Sequence, residues 1–250
     1  MRNLRERAKE ETLRGNPWYT EDQFAFVQKY ATRTIQRRYD FILNSISKYQ
    51  QSISRECLRL LDAGCGDGVQ LQGLIRMEGL EISGIDYNSV RTGRVNQKFQ
   101  NVKLICGDLL HMPFKLEAFD IVLCSQVIEH VFQDDLLLKA LGTILKMRGL
   151  LILGTPNEGC LMGRLRNHIF ERDILKSTDH LHFYRESVIR RKIETAGFAI
   201  REVMRENWFF PHQLISRHLA NCNWGFYLMT CLNKIVPSQS AGYYFLCEKC

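Results

Sequence analysis

The chain has 250 residues, 45% apolar and 24% charged, with nine cysteines and a formal net charge of +7. Length and composition are those of one well-buried globular domain with additions. The charged opening Met1-Arg2-Asn3-Leu4-Arg5-Glu6-Arg7 argues against a secretory signal. No stretch reaches the roughly 18 uninterrupted apolar residues of a membrane-spanning helix.

The cysteines are scattered, several of them inside predicted strands (Cys106, Cys124). They read as free thiols in a reducing, cytoplasmic setting rather than as a disulfide framework. The basic surplus admits a nucleic acid, an anionic membrane surface or an anionic substrate as partner, and equally charges spread over solvated faces. Its densest groups are Arg33, Arg37, Arg38 and Arg164, Arg166, His168, Arg172; neither is an unbroken run.

In chain order, residues 1 to about 16 are charged and aperiodic, a frayed helix or tail. From Glu21 to Ser47, Phe24, Val27, Tyr30, Ala31, Ile35, Tyr39, Ile42, Leu43 and Ile46 recur at three and four. That spacing predicts one or two amphipathic helices with the arginines outward. Alternating strands and helices follow. Strands are expected over Leu58 to Leu61, Leu80 to Ile85, Val102 to Cys106, Phe119 to Cys124 and Gly149 to Gly154. Helices are expected over Val69 to Ile75, Ser89 to Lys98 and Asp134 to Leu145. The repetition implies a parallel sheet with right-handed crossovers. Residues 157 to 183 break the rhythm. A helix over Glu186 to Gly197, a sixth strand over Phe198 to Val203, an aromatic-rich stretch at 207 to 236 and a last strand over Tyr243 to Cys247 complete the chain. The terminal Cys247-x-x-Cys250 has no second pair, so no metal site is expected.

The first strand runs into Asp62-Ala63-Gly64-Cys65-Gly66-Asp67-Gly68. Strand, glycine turn and helix in that order present a small-molecule site at the carboxyl end of the strand, where backbone without Cβ lets a ligand approach. A dinucleotide fingerprint needs glycine at position 69, which is valine. Asp62 suits a ligand bearing an ammonium group rather than a pyrophosphate. The motif resembles the first motif of the class I S-adenosylmethionine-dependent methyltransferases, and Ser125-Gln126-Val127-Ile128-Glu129-His130-Val131 is close to the form in small-molecule members, including those of ubiquinone biosynthesis. It is unlike the Asn/Asp-Pro-Pro-aromatic motif of enzymes that methylate nucleobase amino groups.

The resemblance covers about Cys57 to Val203 plus the last strand. It implies a doubly wound α/β fold: a mostly parallel seven-stranded sheet, helices on both faces, the last strand antiparallel beside the sixth. It divides the chain into an N-terminal helical cap, 1–50, and a methyltransferase domain, 51–250, with acceptor-side insertions at about 157–183 and 207–240. Trp18 and Tyr19 then become lid residues or simple anchors of their helix. One departure is Leu145-Lys146-Met147-Arg148-Gly149, where relatives usually have Leu-Lys-Pro-Gly-Gly.

The implied cofactor is S-adenosylmethionine, contacted by Asp62, Gly64, Cys65, Gly66, Asp86, Tyr87, Asp108, Leu109, Ser125 and Gln126. Asp86, at the end of the second strand, would accept from the ribose diol or only cap the next helix. Asp108 would accept from the adenine amino group or only form a turn. His130 is the first candidate for a base on a hydroxyl acceptor, with a loop-orienting role as the alternative; His180 and His182 are second, and His182 is carried as the other catalytic residue. Arg164, Arg166 and Arg172 are offered as a clamp for an acceptor anion or as solvated loop residues. The aromatic stretch reads as core, as a lid or as a peripheral membrane contact. The expected activity is methyl transfer to an oxygen, less readily a nitrogen or carbon, of a small organic, sugar or lipid-linked acceptor. The rivals are an RNA methyltransferase, resting on charge alone, and a non-catalytic cofactor-binding scaffold.

Overall fold

The computed structural model describes residues 33–172 and 179–250. Trp18, Tyr19 and the first part of the N-terminal helix pattern lie outside the described residues. Helix α1 (Arg33–Ser52) leads into β1 (Leu58–Ala63), a short α2 (Leu71–Leu74), β2 (Leu80–Asp86), α3 (Ser89–Lys98), β3 (Lys103–Cys106) and β4 (Phe119–Ser125). Then come α4 (Asp134–Ile144), β5 (Leu145–Pro156), α5 (Leu161–Leu165), α6 (Glu186–Thr195), β6 (Phe198–Arg205), α7 (Gln213–Asn221), α8 (Asn223–Ile235) and β7 (Gly242–Lys249).

The strands form one seven-stranded sheet in the order β3-β2-β1-β4-β5-β7-β6. The first five pair in parallel. β7 runs antiparallel between β5 and β6 and pairs with both. Each central strand is apolar on both sides, as a sheet covered on two faces requires. Ile42, Ile46, Leu60, Leu71, Val95 and Tyr244 cluster on the face carrying α1 to α3. Leu61, Val122, Leu137, Leu141, Ile189 and Phe245 cluster on the face carrying α4 and α6. Burying one such side chain contributes about 1.5–3 kcal/mol, and tertiary packing rather than propensity holds the four-residue α2 in place.

Two expectations are corrected, for Arg38 and for the start of β5. Arg38 of α1 does not face outward: its guanidinium pairs with the buried Glu206 at 2.6 Å and lies over the Tyr244 ring at 5.4 Å. The helix phase forces this: Arg38 stands one turn before Ile42 and two before Ile46, on the stripe of α1 that packs against the sheet. Residues 107–118 between β3 and β4 form turns and loop, and Leu109, Leu110, Met112 and Phe114 pack against the core from there. β5 starts at Leu145, so Lys146 to Gly149 is strand rather than a turn before one. The stretch at 207–236 holds α7 and α8.

Candidate active site

β1 ends in Asp62, buried and with its Oδ2 lacking a hydrogen-bond partner. Burial pushes its carboxyl up to about 7, helped by the neighbouring charge of Asp86. Directly after it the backbone turns left-handed at Gly64, Gly66 and Gly68 (φ +82°, +51° and +79°). A side chain at 64 would meet Val127 at 2.4 Å, so glycine there is a packing requirement as well as a conformational one.

Asp86 is buried at the end of β2. Its Oδ2 accepts from the Gly66 N–H at 2.9 Å and its Oδ1 from the Asn88 N–H at 2.9 Å. Burial raises its pKa, against the pull of those two amides. Asn88, not Asp86, caps α3, accepting from the Val90 and Arg91 amides. The acid therefore ties the glycine loop to β2, and each oxygen keeps lone-pair capacity for a ligand donor.

The other expected cofactor residues divide by what their side chains do. Cys65 turns its thiol inward, where a Cβ at Gly84 would meet it at 3.0 Å, and burial raises its pKa. Tyr87 is exposed and Leu109 is in the core. Asp108 Oδ1 accepts from the Leu110 amide at 2.9 Å, closing a turn. Ser125 Oγ shares a 2.6 Å hydrogen bond with Tyr244 Oη. Gln126 sits in the left-handed region (φ 57°), with its amide donating to Gly154 O and its buried Nε2 unpartnered. A non-glycine residue there costs on the order of 1–3 kcal/mol, a cost typical of ligand-facing loops.

After Gln126 a 3-10 turn, Ile128–His130, sets Glu129 and His130 at the same edge. Glu129 is fully buried; Thr155 Oγ1 donates to its Oε2 at 3.2 Å, and its Oε1 has no partner. Burial pushes its carboxyl up to about 7. The His130 ring meets the His180 ring edge-on at 4.7 Å, and its Nδ1 lies 3.0 Å from Asp179 Oδ1. Burial, then the His180 charge, drives His130 down to about 4. His180 goes the other way: burial disfavours its cation, but Glu158 Oε2 at 2.5 Å from Nδ1 outweighs that. Arg166 in turn pairs with Glu158.

Between the two expected histidines, the structure thus brings His180 to His130. His182 faces elsewhere: its Nε2 is 3.0 Å from Val131 O and its ring stacks on Tyr184. Of the three arginines offered as a clamp, Arg166 is engaged by Glu158, Arg172 Nε donates to His168 O, and Arg164 lines a separate cleft with Arg185 and Arg190. Glu129, Asp179 and Glu158 escape sequence reading. Glu129 and Asp179 each directly precede a histidine in the chain, and only the fold makes them converge. Glu129, His130 and His180 each offer a ligand atom within 4.8 Å of the others, a set suited to a divalent cation and unforeseen from the sequence.

A family model described as a methyltransferase domain matches residues 20–203. A probable S-adenosylmethionine-dependent methyltransferase of Mycobacterium tuberculosis is 29% identical over 111 residues, 44% of this chain and 40% of that protein. The ubiquinone biosynthesis O-methyltransferase of Aeromonas salmonicida is 27% identical over 154 residues, 58% of this chain and 64% of its own length. The matches thus span less than two-thirds of either relative. Among solved structures, a putative sarcosine dimethylglycine methyltransferase of Galdieria sulphuraria superposes with a TM-score of 0.64 at 14% identity, covering 86% of each chain. Geranyl diphosphate C-methyltransferase of Streptomyces coelicolor, solved with S-adenosyl-L-homocysteine, gives 0.61 at 12% identity, covering 86% of this chain and 79% of that one. At these identities the structural likeness carries the fold alone.

Proposed function

The chain belongs to the methyltransferase-domain family, and from that membership we propose that it methylates a hydroxyl oxygen of a small organic or lipid-linked acceptor. The residues present suit S-adenosylmethionine: the unpartnered, buried Asp62 Oδ2 beside a left-handed glycine loop is a site for an ammonium group. Asp62, the loop amides, Asp86 and the Ser125–Gln126 segment would hold the cofactor. When bound, it supplies a methyl group already activated on a sulfonium.

The protein's part is then to position the acceptor, exclude water and take up one proton. The observation that carries the oxygen reading is the His130–His180 pair. Two adjacent histidines with pKa values pushed apart are an acid–base arrangement. His130 is neutral at pH 7 and has a lone pair for the acceptor proton, with Asp179 beside Nδ1 to orient the ring. His180, held by Glu158, keeps the edge positive as the proton is taken up.

The test is turnover with methyl-labelled cofactor and cell extract, followed by identification of the labelled product. His130→Ala is expected to reduce turnover by about 10²-fold or more while cofactor affinity in calorimetry stays within about twofold. Full activity in that variant would remove His130 as the base.

A second reading is favoured by the convergence of Glu129, His130 and His180, in which a divalent cation rather than His130 lowers the acceptor's pKa. Prolonged chelation separates the two. Turnover unchanged by chelator supports the base; loss restored by magnesium, manganese or zinc supports the cation.

A further inference from the structure

From Asn207 to Cys247 the chain contains no Asp or Glu, yet it carries His212, Arg217, His218 and Lys234. This acid-free segment includes the whole α7–α8 insertion between β6 and β7. α8 buries Gly225 and Met229 against α7: a Cβ at Gly225 would meet Leu219 and Cys222, and Met229 clusters with Leu219 and Ala220. On its other side Trp224, Tyr227, Leu228 and Ile235 are 64%, 72%, 38% and 75% exposed. At 3.6 residues per turn those four fall within an arc of about 100°, and Lys234 lies at its border. Leu214 and Ile215 of the neighbouring α7 are also 61% and 50% exposed, and Arg217 and His218 follow on the same helix, both exposed.

An aqueous surface rarely gathers two large aromatics and several aliphatic side chains on one helical stripe. Trp and Tyr beside Lys and Arg are the side chains that settle at a bilayer's headgroup level. The lack of any acid in the segment makes its charge complementary to anionic lipid. Among the described residues no helix is long and apolar enough to cross a membrane, so contact would be at the interface. α7–α8 leaves β6 after Arg205 and returns to β7 at Gly242, opposite Pro156 of β5. That is the carboxyl edge of the parallel strands, where Asp62 and His130 lie.

We propose that the exposed α7–α8 face docks on an anionic membrane surface with α8 in the interface plane, bringing the active-site edge toward the lipid. This docking stands apart from the methyl-transfer reading, since its readout is vesicle binding and needs no acceptor.

The test is co-sedimentation of the full chain with vesicles of phosphatidylcholine containing about one-third phosphatidylglycerol. The expected result is binding that weakens at least about tenfold on pure phosphatidylcholine and with rising salt. The triple variant Trp224→Ser/Tyr227→Ser/Ile235→Ser is expected to lose binding by about tenfold or more, and Lys234→Glu to weaken it on anionic vesicles only. Both variants change exposed side chains, and an unchanged melting temperature and cofactor affinity would verify their fold. Wild-type protein left in the supernatant would overturn the proposal, as would equal binding by the triple variant. So would a dimer in sedimentation velocity that the triple variant breaks, which would assign the face to a second copy of the chain.

Discussion

Asp62 concentrates the chemistry of the site in one carboxyl group. Burial, then the Asp86 charge, raises its pKa from 3.8 to about 7. Between those values the folded state holds a proton that the unfolded state has lost, so this residue's contribution to stability falls as pH rises through that window. An ammonium beside Asp62 favours the carboxylate, so binding the cofactor below pH 7 releases the proton. Affinity is therefore expected to rise about fivefold from pH 6 to pH 7. Calorimetry in two buffers of different ionisation enthalpy reads both the affinity and the proton, and Asp62→Asn should flatten the profile. A flat profile in the wild type would place the ammonium elsewhere. The acid before the glycine turn was legible in the sequence, because its type and spacing are local. Its missing hydrogen-bond partner was not, because that depends on β2 and β4 closing around it.

Among the elements, β5 carries a local conflict. Arg148 has φ 59°, a left-handed conformation that disfavours a side chain. Its ion pair with Glu248, at 3.4 Å with the arginine 85% exposed, contributes little. Arg148→Gly relieves a cost of about 1–2 kcal/mol while adding about 0.5–1 kcal/mol of unfolded-chain entropy. The net is a gain of up to about 1 kcal/mol, and a melting temperature about 1 to 3 °C higher. A lower melting temperature would show that the pair with Glu248 matters more than the backbone. The sequence marked this position as a departure from Leu-Lys-Pro-Gly-Gly and placed a turn there, whereas pairing of Leu145 with Phe119 begins the strand earlier. Existence and type of the other core strands and helices were legible because alternation and 3.6-residue spacing survive in the sequence. α2 fell short of its predicted span, since only Leu71 and Leu74 find buried places on the sheet.

For the whole molecule, the question is what the surplus of +7 does. Five of its arginines are matched to acids within the fold: Arg55 to Asp120, Arg91 and Arg94 to Asp67, Arg166 to Glu158 and Arg205 to Glu186. Charges so engaged are poorly placed to release counterions from a phosphate backbone. RNA binding by fluorescence anisotropy is therefore expected to be weak, with a log affinity against log salt slope equivalent to fewer than about two phosphates. A slope equivalent to six or more would revive the RNA reading over a small acceptor.

The sequence by itself determined the order of strands and helices, the glycine loop, the acids at the ends of β1 and β2, and the family. Each is carried by residues close together in the chain, where periodicity and turn chemistry act. Only the tertiary structure decided that His180 rather than His182 meets His130, that Glu129 and Glu158 stand behind them, that Arg38 faces Glu206, and that α8 shows an apolar stripe. Those facts depend on loops from separate strands converging at one sheet edge and on which helix face finds a partner. Contacts between distant segments set both, and no local pattern records them.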